Sequence, residues 1–413
     1  MGLTLTSTSK PPDAMSSQPV ISQTDVGTIV RVDTPELEKA FYRLPEIIYT
    51  NDPNWIRPLI NDVKKVFDPR QNPFFEHGEL DRWILKDTQG KVIGRVAAFI
   101  DEKKAHTFRQ PTGGMGFFEC VNNQDAAFLL FDTAKAWLAA RGMEAMDGPV
   151  NFGERSQFWG LMVENDMDTP YQHCYNPLYY KDFFEAYGFQ LYFEQLFFRY
   201  HMTQGMPKQY YLFAERFERS GRYRVEHFRL AEKAKYMQDF LTVYNNAWRT
   251  HDNFKELSLE QVESIFDSIK PIVDEAAIWF AYIDDQPASF FFMIPEINQI
   301  FKHINTGKMR LIDKLKFAWH KYTGKCRRLV ILAFGVSAEY QKKGVEAVMM
   351  ANIEKYLKAN RKYESVVVAW IGDFNPKMVN MLGKFNTEIS RRAVTYRKLF
   401  DPNAPFERSP ILD

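Results

Sequence analysis

The run Leu332-Ala333-Phe334-Gly335-Val336-Ser337-Ala338-Glu339-Tyr340-Gln341-Lys342-Lys343-Gly344-Val345-Glu346-Ala347 decides how the chain is read. An apolar strand, Arg328–Val336, ends in a short polar loop, and a helix, Gly344–Asn360, starts at a glycine. The first N–H groups of a helix have no intrahelical partners and project with the positive end of the helix dipole. Such a junction suits an anion. Lys342 and Lys343 add mobile positive charge, and a diphosphate is the natural guest.

On both sides of this junction strands alternate with helices. Before it come a strand at Tyr223–Phe228, helices at Ala231–Trp248 and Ser258–Ile269, and a hairpin of Ala277–Ile283 and Ala288–Ile294 around Asp284-Asp285. An additional basic helix is expected at Met309–Tyr322. After the junction come a strand at Ser365–Ile371, a helix opened by Asn375-Pro376 and a last strand at Ala393–Leu399. Strand, crossover helix and strand together predict a parallel unit.

The first half repeats this order. It reads as a strand at Gly27–Val32, a helix after Asp33-Thr34-Pro35, and a hairpin of Arg82–Lys86 and Val92–Ile100 turned at Asp87–Gly90. A strand at Gly116–Val121, a helix at Asn123–Arg141 and a strand at Ala145–Val150 predict a second parallel unit. A helix opened by Asn176-Pro177 and a strand at Leu191–Tyr200 complete it. The repeat is one of organisation rather than of sequence. Val121 and Asn176 stand 55 residues apart, Val336 and Asn375 only 39, so the first half carries an insertion after Val150. Long loops at strand C-termini are frequently functional.

The junction resembles the GNAT superfamily of acyltransferases, whose hallmark is Gln/Arg-x-x-Gly-x-Gly/Ala at a helix start after a strand. Gln341-Lys342-Lys343-Gly344-Val345-Glu346 matches at the Gln and the first Gly, and Glu346 replaces a small residue. Phe183-Phe184-Glu185-Ala186-Tyr187-Gly188-Phe189 resembles the Leu-Tyr-Glu-x-x-Gly-Phe segment of the same family. The resemblance implies an α/β chain of two tandem GNAT-like domains, each a mixed, mostly antiparallel sheet with a central parallel pair and flanking helices. The first would span residues 26–203 and the second 222–400. A disordered leader (1–25), a helical linker (204–221) and a tail (401–413) make up the rest.

The family implies an acyl-CoA co-substrate in the second half. Its diphosphate would lie on Gln341, Lys342, Lys343, Gly344 and Val345, and its pantetheine arm beside the backbone of Phe334 and Val336, with Asn375 near the second strand. The implied activity is N-acyl transfer to a small amine or amino-acid-like acceptor, by direct attack on the thioester. In many members a Tyr protonates the leaving thiolate from the next helix. Leu382 stands near that position here, so the usual acid is missing. Asn122-Asn123-Gln124-Asp125, the matching loop of the first half, has neither glycine nor basic residue and makes a poor diphosphate cradle. Two other readings stay open: a Fem-type aminoacyl or peptidyl transferase, and a non-catalytic binding protein with degenerate sites.

In the first half, Asp147–Glu154 lies at the C-terminal end of a parallel strand, where α/β folds place ligands. Asn151, Glu154, Asn176 and Tyr180 are candidates to converge on a small polar ligand, and Asn151, Glu154 and Tyr180 are the candidate catalytic residues. His173 and Cys174 are neighbours in sequence with no activating carboxylate in view, so they do not read as a nucleophilic pair.

Composition excludes several classes. The 413 residues carry 53 Lys and Arg against 52 Asp and Glu, so no net charge draws the chain to nucleic acid or to a membrane. Neither partner is expected; a small-molecule substrate is. Three cysteines give no disulfide framework or zinc spacing, which predicts reduced thiols, no metal and a cytoplasmic location. No stretch approaches the roughly 20 apolar residues of a membrane helix. Lys302, Lys308, Arg310, Lys314, Lys316, His320 and Lys321 form a basic surface around the additional helix, read as a solvated face, with binding of an acidic partner or of the adenosine 3′-phosphate as the alternatives.

Overall fold

The computed structural model describes residues 24–249 and 256–412; most of the expected leader (1–25) lies outside them. The first half runs β1 (Thr28–Arg31), α1 (Pro35–Ile48), α2 (Ile60–Val66), β2 (Gly78–Lys86), β3 (Val92–Asp101), α3 (Glu102–Ala105), β4 (Thr112–Cys120), α4 (Gln124–Ala139), β5 (Ala145–Gly148), β6 (Leu161–Asn165), α5 (Tyr180–Tyr187) and β7 (Gln190–His201). The linker helix α6 (Lys208–Glu218) follows. The second half runs β8 (Tyr223–His227), α7 (Lys233–Trp248), α8 (Leu259–Ile269), β9 (Ile278–Ile283), β10 (Gln286–Pro295), α9 (Asn298–Ile304), α10 (Leu311–Tyr322), β11 (Arg328–Val336), α11 (Val345–Asn360), β12 (Ser365–Gly372), α12 (Pro376–Gly383) and β13 (Glu388–Leu399).

Local chemistry sets many of these boundaries. Thr34 accepts the Leu37 N–H at 3.3 Å and Pro35 opens α1. In the β2–β3 turn, Asp87 Oδ1 accepts the N–H groups of Gln89 and Lys91, each at 2.9 Å. Asp284 and Asp285 turn β9 into β10 with φ of 48° and 62°, the left-handed pair that a two-residue hairpin requires. On α11, Val345, Met349, Ile353 and Leu357 repeat every fourth residue and bury one face against the second half of the sheet. Leu130, Phe131, Ala134 and Leu138 of α4 do the same for the first half.

The strands form one sheet in the order β1-β2-β3-β4-β5-β13-β7-β12-β11-β10-β9-β8, with β6 beside β13. Both expected parallel units are present, β4 beside β5 and β11 beside β12; the other pairings are antiparallel. The fold is therefore α/β, built from two repeats that each contribute a mixed, mostly antiparallel half of that sheet. The last strands are exchanged: β7 of the first repeat pairs with β12 of the second, and β13 pairs with β5 of the first. The two exchanged strands also pair with each other. Arg397 of β13 grips Asp147 of β5 through two bonds of 2.6 and 2.9 Å, and its guanidinium lies 3.8 Å from the Tyr192 ring centroid on β7.

Two expectations need correction. Asn176-Pro177 does not open a helix; α5 begins at Tyr180, and its N-cap residue, Tyr179, makes no capping bond through its side chain. Asn176 is instead buried, accepting the Met162 N–H at 2.7 Å and donating to the Met162 carbonyl at 3.1 Å, which ties it to β6. The inserted stretch after Val150 contains β6, and α2 and α9 form where no element was expected. Asn375 does cap its helix, accepting the Met378 N–H at 3.2 Å.

Candidate functional site

Each repeat has a place where its parallel strands stop pairing. The β4–β5 register ends at Gly114 and Asp147, and the β11–β12 register ends at Ile331 and Val368. Just beyond, the middle strand bulges. Phe117 and Phe118 together oppose one residue of β3, with Phe117 at φ 49°. In β11 the extra residue is Leu332, between the pairs Ile331–Met293 and Ala333–Phe292. Bulges of this kind re-aim side chains and gather near binding sites.

The bulge of β4 delivers Glu119 to a cavity of about 160 Å³, whose wall includes Tyr42, Trp55, Phe117, Leu161, His173 and Tyr180. Glu119 is buried, and three groups hold it. Tyr49 donates its hydroxyl at 2.7 Å and Tyr180 donates at 2.9 Å, both to Oε2, while Arg95 reaches Oε1 at 3.4 Å from the facing position on β3. The Tyr180 hydroxyl also accepts the Cys120 N–H at 2.8 Å, so both of its functions are used in fixing the carboxyl group. Burial raises the Glu119 carboxyl above the usual carboxylate range, and Arg95 with the two tyrosines pulls the other way. Burial first, then Glu119, keeps both tyrosines protonated. Arg95 also donates to the Phe41 carbonyl at 2.8 Å.

The rim beside Glu119 carries His173 and Cys174. Burial, helped by the Arg391 guanidinium, pushes His173 down to about 3, so its imidazole is neutral. Burial pushes the Cys174 thiol up to about 12, which removes it as a thiolate nucleophile. The second half closes the cavity, with Thr306, Gly307 and Lys308 contributing to the wall. Arg57 donates its N–H to Asn305 Oδ1 at 2.8 Å and Ile60 donates to the Gly307 carbonyl at 2.9 Å. The site is thus composite.

The equivalent gap of the second half is an apolar slot of about 80 Å³, lined by residues such as Tyr200, Ile331, Met350, Val368, Leu382 and Phe385. Ala333 is the first paired residue beyond the bulge of β11, and β11 carries no carboxylate. The carboxylate at its rim, Glu354, is spent on Tyr200, Tyr211 and Lys358. Leu382 is buried in the slot.

The residues expected to hold a diphosphate lie at the start of α11, as a loop and helix N-terminus. Gly344 has φ 79° and α11 has no side-chain cap, which leaves first-turn amides for an anion, whereas α4 is capped by Asn123 at 3.0 Å from the Ala126 N–H. Lys342 and Lys343 are exposed, and Val345 is buried in the core beneath. In charge and in amides this helix start fits a diphosphate. Three contacts narrow it. Gln341 donates to the Val336 carbonyl at 3.2 Å, Asn246 takes the Ala338 N–H at 2.8 Å, and a Cβ on Gly344 would meet the Phe213 ring of α6 at 1.9 Å. Phe334 packs 5.2 Å from the Phe291 ring, and Asn375 serves α12 as its cap.

Asn151, Glu154, Asn176 and Tyr180 are not brought together. Asn176 and Tyr180 line the Glu119 cavity; Asn151 faces a separate small hollow beside Asp147 and Arg155; Glu154 is exposed. Sequence reasoning missed Glu119, Arg95 and Tyr49. A signal was present, because Glu119 and Arg95 each interrupt an apolar run read as a buried strand, and buried charges need partners.

No family model matches the chain. Its sequence is similar to Protein YghO of Escherichia coli (strain K12), 26% identical over 375 residues, covering 87% of this chain and 92% of that protein. It is also similar to a bacterial ceramide synthase of Caulobacter vibrioides (strain NA1000 / CB15N), 26% identical over 367 residues, covering 86% and 92%. Among solved structures it resembles a tandem GNAT protein from the clavulanic acid biosynthesis pathway, with TM-score 0.48 and 11% identity over 91% of this chain and 99% of that one. It also resembles a fungal multi-domain β-N-acetylglucosaminidase with a GCN5-related glucosamine N-acetyltransferase region, with TM-score 0.48 and 12% identity; the match covers 94% of this chain and 39% of that longer one. The strand order, mostly antiparallel with a central parallel pair in each half, has the arrangement the resemblance implied.

Proposed function

We propose that the protein is an acyltransferase that forms an amide between an acyl thioester, such as an acyl-CoA, and the amine of an apolar-tailed acceptor, with Glu119 as general base. The observation that carries this reading is the buried Glu119 carboxyl at the bulge of β4, presented to a mainly apolar cavity. An amine attacks only when neutral, and a carboxyl whose affinity for protons is raised by burial is suited to take its proton. In the proposed step the amine nitrogen bonds to the thioester carbonyl carbon, its proton passes to Glu119, the C–S bond breaks and the thiolate leaves. Tyr49 and Tyr180 are positioning residues, because their protons stay with them and hold the carboxyl in place. The neutral His173 imidazole is available on the rim to accept or pass on a hydrogen bond. Similarity to a protein named bacterial ceramide synthase supports a long-chain acceptor, ceramide being the amide of a fatty acid with a long-chain amino alcohol.

A test is mass-spectrometric detection of amide from paired panels of acyl-CoA esters and amines. The wild type should form product with long-chain amines, and Glu119→Gln should lower kcat by about 10²–10⁴-fold with a smaller change in KM. Turnover retained in Glu119→Gln would remove Glu119 as the base.

A second reading follows from the uncapped start of α11, the helix start suited by charge to a diphosphate. In it the donor binds along α11 and the apolar slot takes its chain. Calorimetry with CoA on the wild type and on Gly344→Trp tests it: binding lost in the variant supports donor binding there, and equal binding excludes it.

A further inference from the structure

The helix α10 faces two ways. Inward, Phe317 packs 5.4 Å from the Phe301 ring in a cluster shared with Ile56 and Ile304, which anchors the helix. Outward, Leu311, Ile312, Leu315, Trp319 and Tyr322 fall within an arc of about 100° at 3.6 residues per turn. Each of these five leaves between 57% and 87% of its surface exposed. A contiguous apolar stripe on an exposed helix needs an occupant, whereas scattered exposed leucines do not.

The charge around the stripe selects that occupant. Exposed Lys314 and Lys316 flank it on opposite sides, with Lys308 before the helix and Lys325 after it. Residues 308–325 contain six Lys and Arg against one acid, Asp313, which is buried and paired with Arg310 at 2.9 Å. An apolar stripe with Trp and Tyr, bordered by lysines, matches a helix lying in the headgroup layer of an anionic bilayer. The balanced composition of the whole chain hides this local excess.

The base of α10 adjoins the cavity. Thr306, Gly307 and Lys308 line it, and Leu311 begins three residues later, within about 10 Å along the chain. No described helix is long and apolar enough to cross a membrane, so attachment through α10 would be to one surface.

We propose that α10 docks the protein on an anionic lipid surface, with the apolar stripe in the headgroup layer beside the Glu119 cavity. An apolar-tailed amine then enters from the bilayer edge; that consequence rests on the acyl-transfer reading, and the docking itself does not. The test is flotation of the full chain, without substrate, on phosphatidylcholine vesicles with and without about 30 mol% phosphatidylglycerol. The wild type should bind the anionic vesicles at least about tenfold more tightly than the neutral ones. Both Leu315→Glu with Trp319→Glu and Lys314→Glu with Lys316→Glu should lose that binding while keeping the wild-type melting profile, because all four side chains point outward. Absence of binding to anionic vesicles, or binding unchanged in both variants, would overturn the proposal. So would a wild-type dimer in sedimentation that Leu315→Glu with Trp319→Glu turns into a monomer, since the stripe would then be a protein interface. Vesicle binding without amide formation would leave the docking intact and count against the acyl-transfer reading alone.

Discussion

Glu119 and Arg95 occupy facing positions on neighbouring strands, and the consequence of that register is a buried carboxylate with three fixed donors. A second buried carboxylate, Glu296, has a different role. It follows β10, is almost fully buried, and accepts the N–H groups of Tyr171 at 2.9 Å and Asn298 at 3.0 Å on the same oxygen, Oε1. Burial pushes it up to about 7, against the pull of those amides and of Arg328. A carboxyl whose folded affinity for protons exceeds its unfolded one stabilises the fold fully at low pH. That contribution is lost as pH rises through the range from about 4.5 to 7. Glutamine keeps an oxygen for both amides. Glu296→Gln should therefore match the wild type near pH 4.5 and exceed its unfolding free energy by ~1–3 kcal/mol at pH 8, read by denaturant melts at both pH values. A gain independent of pH would contradict this account. None of the partners of either carboxylate was legible in sequence, because each lies at least 24 positions away apart from Asn298, whose bond is local.

At the scale of elements, what is local was readable and what is not local was hidden. The β2–β3 and β9–β10 hairpins follow from turn residues that act on their own backbone, and both parallel units follow from a strand–helix–strand periodicity. The same dipeptide then meets two fates. Asn375-Pro376 caps α12, while the Asn176 amide satisfies both backbone groups of Met162 and the helix starts four residues later. The difference is β6, which the inserted stretch of the first half supplies. Exchange of β7 and β13 was equally invisible, since either strand has the apolar pattern to close either half. The exchange has a consequence for folding. A fragment ending at Gly205 has β7 but no β12 to pair it and no β13 to cover β5. It should show no cooperative unfolding transition by circular dichroism, and co-expression with residues 206–413 should restore one. A sharp transition for the fragment alone would mean that the exchange is not needed for folding.

Across the whole molecule, the two repeats have divided their equipment. The first has a buried carboxyl group beyond its bulge and a capped helix start; the second has no carboxylate on its bulged strand and an uncapped, lysine-flanked helix start. Segments of both enclose the Glu119 cavity, which ties any activity there to the assembled chain. The motif that decided the sequence reading belongs to the second repeat, while the buried carboxyl that carries the proposed chemistry belongs to the first. The periodicity of β4 predicted a strand but not the bulge that aims Glu119, because a bulge is defined only by the strand opposite. The measurement that bears most directly on this account is single-turnover amide formation, run side by side on the wild type, Glu119→Gln and Gly344→Trp at saturating acyl-CoA and amine. The account predicts that Glu119→Gln slows the chemical step by about 10²-fold or more, while Gly344→Trp leaves that step within a few-fold of wild type. A chemical step unchanged in Glu119→Gln and lost in Gly344→Trp would place the reaction in the second repeat and contradict it.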